Sequence, residues 1–196
     1  MKNIKSTIHS DHHTENSLFG FWIYIMTDLI MFAALFATFA ALRNSTFGGP
    51  SAQQIISLPF VLTETFILLF SSFTCGLALL ASQQNKIKML ISWLTVTFIL
   101  GATFLVMELT EFSRLAADGN GPQRSAFLSS YFALVGTHGA HIAVGLLWMV
   151  VSAIVILRRG LTAKTSNQLA RLALFWHFLD IVWIFIFSIV YMMGVL

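Results

Sequence analysis

Five long apolar stretches dominate this chain of 196 residues and leave few folds open to it. They cover residues 19–42, 58–81, 89–112, 125–157 and 169–195. A helix rising about 1.5 Å per residue needs roughly 20 apolar residues to cross a hydrocarbon core about 30 Å thick. Because each stretch reaches that length, the sequence predicts an all-α membrane protein, a bundle of five transmembrane helices.

Composition agrees with this interpretation and excludes several other classes of protein. Hydrophobic residues make up 57% of the chain and charged residues only 10%, which is too little polar surface to cover a soluble globule. The one cysteine, Cys75, lies inside the second apolar stretch, where we expect a packing residue. A single cysteine supports neither a disulfide framework nor a cysteine-based metal site.

Turn-forming residues fall between the apolar stretches. Gly48, Gly49 and Pro50 follow the first stretch, and a Gly-Asn-Gly-Pro run at 119–122 separates the third from the fourth. The absence of proline deep inside a stretch argues against the broken helices of many transporters. We therefore expect a polar tail at 1–17, retained in the mature protein, followed by one transmembrane domain at 18–196.

Basic residues predict the orientation of the helices. Eight of the 11 lysines and arginines lie in the tail, the second loop and the fourth loop region, and three lie on the opposite side. The positive-inside rule then places the N-terminus in the cytoplasm and the C-terminus in the periplasm. This bias accounts for the basic isoelectric point, so we expect no nucleic-acid partner.

Acidic residues inside the apolar stretches mark the candidate functional site. Five of the eight carboxylates lie there, and an ionisable group at bilayer depth costs roughly 2.5 kcal/mol or more to insert. Such a group usually faces protein and has a definite partner. With the three histidines of the same stretches, the candidates are Asp28, Glu64, Glu108, Glu111, His138, His141, His177 and Asp180.

Spacing along the helices predicts how these side chains pair. Residues three apart share a helix face, so we expect both members of a pair to face one target. Counting from the predicted ends places Glu64 and the pairs of the third and fourth helices in an outer layer, with the other three candidates deeper. We expect hydrogen bonds between the third and fourth helices, worth about 0.6 to 2 kcal/mol each. The pairs are Glu108 with Glu111, His138 with His141, and His177 with Asp180.

Three other uses of these residues stay open at this point. Glu-x-x-Glu facing His-x-x-His supplies four ligands for iron, zinc or manganese, although the Glu-x-x-His motif of di-metal bundles is missing. Haem ligation by the histidines is conceivable from spacing alone. A proton or ion path would line acidic groups through the depth of an independent transporter.

Four motifs in order resemble subunit III of the haem-copper terminal oxidases. They are FALVGTHGAHIAVG at 132–145, FWHFLDIVW at 175–183, MELTEF at 107–112 and IMTDLIMF at 25–32. The resemblance covers about residues 18–196. Five spans after a polar tail, together with segments 121–129 and 158–162, are most similar to the cytochrome o ubiquinol oxidase branch. A menaquinol oxidase or a cytochrome c oxidase is the alternative within the family.

The resemblance implies a non-catalytic subunit of a proton-pumping ubiquinol oxidase in the bacterial inner membrane. Haem and copper are expected on a large catalytic partner subunit, and none on this chain. Other oxidase subunits and membrane phospholipids are further expected partners. Asp28 matches a position that is often glutamate and reacts with hydrophobic carbodiimides, which implies support for proton uptake. The eight candidates carry over as packing and hydrogen-bonding residues, with no catalytic, cofactor-binding or metal-binding role.

Overall fold

The computed structural model describes residues 2–46 and 58–192, with side chains from residue 19 onward. The described residues form five helices, each with a segment apolar enough to cross a membrane, which confirms the predicted five-helix architecture. The turn residues Gly48, Gly49 and Pro50 lie outside the described residues. The helices are α1 (Lys2–Leu42), α2 (Leu58–Gln83), α3 (Ile87–Ala117), α4 (Ala126–Arg159) and α5 (Ala163–Ile186), and a π-helical turn (Phe187–Met192) extends α5.

Several helices extend beyond the apolar runs from which their ends were predicted. α5 begins at Ala163, six residues earlier than predicted, because Thr162 and Thr165 form a reciprocal capping box. α3 continues five residues beyond its predicted end at 112. In α1 the helical backbone reaches back to Lys2 through the polar tail, whereas its apolar segment is Phe19–Leu42.

Two helices end in the same hydrogen-bonded turn. At the end of α2, Asn85 adopts φ 56°, and Lys86 N–H donates to Ala81 O at 3.1 Å. At the end of α3, Gly119 adopts φ 74°, and Asn120 N–H donates to Leu115 O at 2.9 Å. Both positions require the left-handed region, which glycine and asparagine adopt most readily. The first of these turns makes α2 and α3 an antiparallel hairpin.

The bundle is organised around α5. α2 packs along α3, α3 also packs on α4, and α5 packs against α4 and α2, while α1 lies on the surface formed by α4 and α5. Two buried tryptophans of α5 donate hydrogen bonds to α2. Trp176 Nε1–H donates to Ser71 Oγ, and Trp183 Nε1–H donates to Thr65 Oγ1, each at 3.1 Å. These bonds fix the rotation of α5 relative to α2.

Candidate functional site: a buried network of acids and imidazoles

The predicted site residues separate into four groups within the bundle. One group joins α1 to α4, one lies between α2 and α3, one is a histidine enclosed by aromatic rings, and one lies in a cleft between α2 and α5. Helix depth predicts two layers, but it does not predict these four groups. The helices that pack against each other decide the grouping, and position along one helix does not reveal those neighbours.

Asp28 and His141 form the contact between α1 and α4. His141 Nε2 lies 3.6 Å from Asp28 Oδ2, which is ion-pair distance. His141 Nδ1 lies 2.7 Å from Thr137 O, and because a carbonyl only accepts, this nitrogen carries the hydrogen. Nε2 therefore faces Oδ2, although the 3.6 Å between them is longer than a hydrogen bond. Tyr24, one turn before Asp28, interacts electrostatically with the same carboxyl group.

His141 and Asp28 meet at the middle of their helices. His141 is 15 residues after Ala126 and 18 residues before Arg159, so it is near the middle of α4. Asp28 is similarly near the middle of the apolar segment Phe19–Leu42. The pair thus joins the middle parts of α1 and α4, whereas the sequence places His141 in an outer layer with Glu64 and Glu108.

Glu64, Glu108 and Glu111 bring three carboxyl groups together where α2 meets α3. Their charges interact, and the side chains of Glu64 and Glu108 are 0% and 2% exposed. Glu108 also packs on α4, where a Cβ atom at Gly139 would lie 2.8 Å from its Oε1. Glu108 and Glu111 thus both interact electrostatically with a third acid, Glu64 on α2, and a common target for the pair stays a prediction.

The predicted hydrogen bonds between these glutamates and the histidines of α4 are wrong. The carboxyl oxygens of Glu64 and Glu108 have no hydrogen-bond partner among the described residues, and neither do the ring nitrogens of His138. His138 packs instead among rings, stacking on Trp183 at 5.2 Å between centroids and meeting Phe104 edge-on at 6.0 Å. His138 and His141 therefore face different targets although they share a helix face.

A pair of tyrosines borders the acid cluster and was not singled out from the sequence. The hydroxyls of Tyr131 on α4 and Tyr191 in the π-helical turn lie 3.0 Å apart and are fully buried. Both interact electrostatically with Glu111. The chain has three tyrosines, and all three lie beside intramembrane acids, because the third is Tyr24. Their scarcity was a usable signal, since a buried tyrosine hydroxyl needs a polar partner.

Ser72, His177 and Asp180 form the fourth group, in a cleft between α2 and α5. Ser72 Oγ lies 2.6 Å from His177 Nδ1, and the Asp180 carboxyl group lines the same cleft. Asp180 Oδ1 is buried without a hydrogen-bond partner among the described residues. His177 and Asp180 thus line one cleft, and Ser72, which bonds to His177, is the member that the sequence did not reveal.

Two clefts open from α5 towards the membrane, and His177 borders both. The first has a volume of about 460 Å³ and contains the Ser72 group. The second, of about 440 Å³, lies between α1 and α5 and is lined by apolar side chains including Trp22, Phe36 and Phe185. The two clefts differ in chemistry, because only the first exposes several polar side chains.

The described residues offer no arrangement suited to a metal ion. Within these ranges, no three side chains of histidine, cysteine, aspartate or glutamate come together in a geometry that could bind one. The acid cluster contributes no imidazole, and the ring of His138 is occupied by aromatic contacts. The arrangement is suited to helix packing, to holding protons on buried acids and to contacts with other membrane components.

Comparison with known proteins identifies relatives along nearly the whole chain. The family model described as cytochrome c oxidase subunit III matches residues 3–195. Cytochrome bo(3) ubiquinol oxidase subunit 3 of Pseudomonas aeruginosa is 54% identical over 188 residues, which is 96% of this chain and 90% of that protein. The protein of the same name from Pseudomonas putida is 51% identical over 180 residues, 92% of this chain and 87% of that protein. A Staphylococcus aureus protein named "Probable quinol oxidase subunit 3" is 41% identical over 196 residues, covering 99% of this chain and 98% of that protein.

Proposed function

The chain belongs to the cytochrome c oxidase subunit III family, and from this premise we propose that it is the supporting third subunit of a ubiquinol oxidase. It is a multi-pass protein of the bacterial inner membrane and a part of an oxidoreductase complex. The observation that carries the assignment to ubiquinol is the 54% identity to a ubiquinol oxidase subunit over 96% of the chain. The match to a quinol oxidase subunit of Staphylococcus aureus keeps a different quinol as the alternative within the family.

Redox chemistry belongs to the partner in this proposal. Haem and copper on a large catalytic subunit would supply electron transfer and oxygen reduction, and the described residues of this chain offer no group of three ligands for a metal ion. The residues of this chain act by packing and by holding protons. Three of the four buried groups connect helices: α1 to α4, α2 to α3, and α2 to α5. These connections fix the helices, so the bundle presents a fixed surface to its partner.

Proton uptake is the role we assign to Asp28 and His141. Because Thr137 O fixes the hydrogen on Nδ1 of His141, Nε2 is the nitrogen that faces Asp28 Oδ2. At 3.6 Å the two groups are beyond hydrogen-bond distance, so proton exchange between them requires a small movement of the side chains. With the N-terminus in the cytoplasm and the C-terminus in the periplasm, as the positive-inside rule favours, this pair takes protons from the inner side.

Phospholipid is the occupant we propose for the cleft between α1 and α5. This cleft of about 440 Å³ is lined mainly by phenylalanine and aliphatic side chains, which suit an acyl chain. Leu29 and Phe185, which line it, are exposed on the surface of the bundle. A lipid in this position would fill the space between α1, which has few helix neighbours, and α5, and would stabilise the Asp28–His141 contact beside it.

Purification through a tag on this chain in mild detergent tests the proposed function. We expect a larger haem-bearing polypeptide to co-purify and the preparation to oxidise ubiquinol. Deletion of the chain should leave initial turnover of the oxidase but shorten its working life. A preparation without haem or companion subunits, active instead in substrate flux after reconstitution, would contradict the proposal and favour a transporter.

A further inference from the structure

A third cleft lies between α3 and α4, away from the two clefts that border α5. It has a volume of about 190 Å³ and is lined by Leu94 and Phe98 of α3. Val150, Ile154 and Leu157 line it from α4. Ile154 and Leu157 are 46% and 65% exposed, so the cleft is open to the membrane along α4.

Helix register places one basic residue of each helix at the same end of this cleft. Arg158 follows Ile154 by four residues, and Lys88 precedes Thr95, which also lines the cleft, by seven. Residues four or seven apart share a helix face, so both basic residues lie on the faces that form the cleft. Lys88 is about 10 Å from Thr95 along the helix axis. Because α3 begins and α4 ends at the same side of the membrane, both residues lie at the mouth of the cleft near that surface.

The charges at this mouth are not neutralised by the chain. Lys88 and Arg158 are exposed, and neither forms an ion pair or hydrogen bond with a side chain that the structure describes. The segments 83–89 and 158–171, which connect the helices at this side, contain no aspartate or glutamate. An apolar cleft with two free cations at its mouth is complementary to a molecule with an apolar chain and an anionic head.

We infer that this cleft binds an acyl chain of an anionic phospholipid, whose phosphate group lies between Lys88 and Arg158. Lysine and arginine near a membrane surface attract anionic lipids, and their long side chains extend towards the headgroups. The inference goes beyond the proposed function, because it assigns a second lipid site that selects for headgroup charge.

The size of the cleft favours a lipid over a helix of another subunit. The cleft has less than half the volume of the one between α1 and α5. Its wall on α4 extends over only about two turns. A helix is about 10 Å wide with its side chains and needs a longer and wider groove, whereas a single acyl chain does not.

Crosslinking from inside the cleft tests the inference in the purified oxidase. A photo-crosslinking residue replaces Ile154, and the complex is reconstituted in bilayers of equal amounts of phosphatidylglycerol and phosphatidylcholine. We expect irradiation to give severalfold more adducts with phosphatidylglycerol. The same residue in place of Val144 is the control, because Val144 is 57% exposed on the same helix but ten residues from Ile154. Val144 should give both lipids in equal amounts.

Removing the two charges should abolish the preference at Ile154. We expect Lys88→Gln combined with Arg158→Gln to give equal adducts with both lipids. Lys164→Gln removes an exposed charge at the same side of the membrane, on α5, and should keep the preference.

Three results would overturn the inference: equal adducts in the protein with its charges intact, a preference that survives loss of both charges, or adducts mainly with a peptide of another subunit. The ratio of adducts is measured at one residue and does not depend on activity. Absence of haem from the tagged preparation would instead contradict the proposed function, which separates the two failures.

Discussion

Trp176 packs so closely against Gly101 that a Cβ atom on this glycine would lie 2.7 Å from Cζ2 of the indole ring. A Cβ atom on Gly145 would lie 2.9 Å from Cζ3 of the same ring. The ring is therefore held between α3 and α4, while its Nε1–H donates to Ser71 on α2. One side chain of α5 thus determines how closely three other helices approach.

Gly101→Ala should destabilise the bundle, because the ring is held on both sides and cannot move away from the new methyl group. Overpacking of this kind costs typically about 1–3 kcal/mol. Replacing glycine by alanine in a helix gains about 1 kcal/mol in propensity, which acts in the opposite direction. Gly20→Ala isolates that gain, since its Cβ atom meets nothing within 4 Å. Thermal unfolding in detergent, followed by circular dichroism, should give a lower midpoint for Gly101→Ala than for the control. Equal midpoints for Gly101→Ala and Gly20→Ala would show that the Trp176 ring can move away from the new methyl group.

Gly139→Ala should displace the Glu108 carboxyl group, because the new Cβ atom would lie 2.8 Å from Oε1 and 3.0 Å from Oε2. Gly139→Ala should therefore lower stability, and Glu108→Ala in the same chain should restore part of the loss by removing the carboxyl group. Residues in contact commonly show coupling energies of about 0.5–3 kcal/mol in such a double-mutant cycle. Unfolding midpoints of the four proteins measure the coupling.

Gly136→Ala provides the control for this cycle on the same helix. Its Cβ atom would meet Phe112 at 3.5 Å, which is ordinary van der Waals contact. Combined with Glu108→Ala, it should give additive effects. Additivity in the Gly139 cycle as well would mean that Glu108 does not pack on α4.

The number and type of helices could be predicted from the sequence because apolar length alone decides whether a helix crosses a membrane. The sequence also predicts a common environment for two residues three apart, provided that both contact the same neighbouring helix. His177 and Asp180 do so, since both line the cleft that Ser72 of α2 borders. His138 and His141 do not, because α5 contributes Trp183 to one and α1 contributes an acid to the other. Helix neighbours are set by the whole bundle, which a single sequence does not specify.

Hydroxyl partners escaped prediction for a different reason. Serine and threonine occur in all the apolar stretches, and many bond only to their own helix, as Thr95 does to Ile91 O and Thr103 to Ile99 O. Ser71 and Thr65, which accept from the tryptophans of α5, carry no distinguishing local pattern. The sequence shows that a hydroxyl side chain can form a hydrogen bond, but its partner depends on how the helices pack.

Asp28→Asn should shorten the working life of the oxidase while leaving its initial rate close to that of the unmodified enzyme. Asparagine keeps the size of the side chain but cannot exchange a proton with His141 Nε2, which lies 3.6 Å away in the unmodified protein. Under the proposed role in proton uptake, the number of turnovers before inactivation should fall severalfold. Oxygen consumption followed to completion measures this number.

Thr27→Val is the matched control for that measurement, because Thr27 neighbours Asp28 on α1 and its hydroxyl bonds only to carbonyl groups of its own helix. Thr27→Val should leave the number of turnovers before inactivation unchanged. If Asp28→Asn also left that number unchanged, the Asp28–His141 pair would have no part in proton uptake and would be a packing contact only.

Trp183 and Thr65 should be coupled through the hydrogen bond that joins α5 to α2. Trp183→Phe keeps an aromatic ring beside His138 and Phe104 but removes the Nε1–H donor, and Thr65→Val removes the acceptor with little change in shape. Hydrogen bonds between membrane helices average about 0.6 kcal/mol and reach about 1.7 kcal/mol, so the double variant should be more stable than the sum of the single losses by that amount. Trp183→Phe combined with Thr95→Val, whose hydroxyl bonds to its own helix, should instead be additive. If both cycles were additive, the Nε1–H donor of Trp183 would contribute nothing specific to the contact. Packing of the ring alone would then fix α5 against α2.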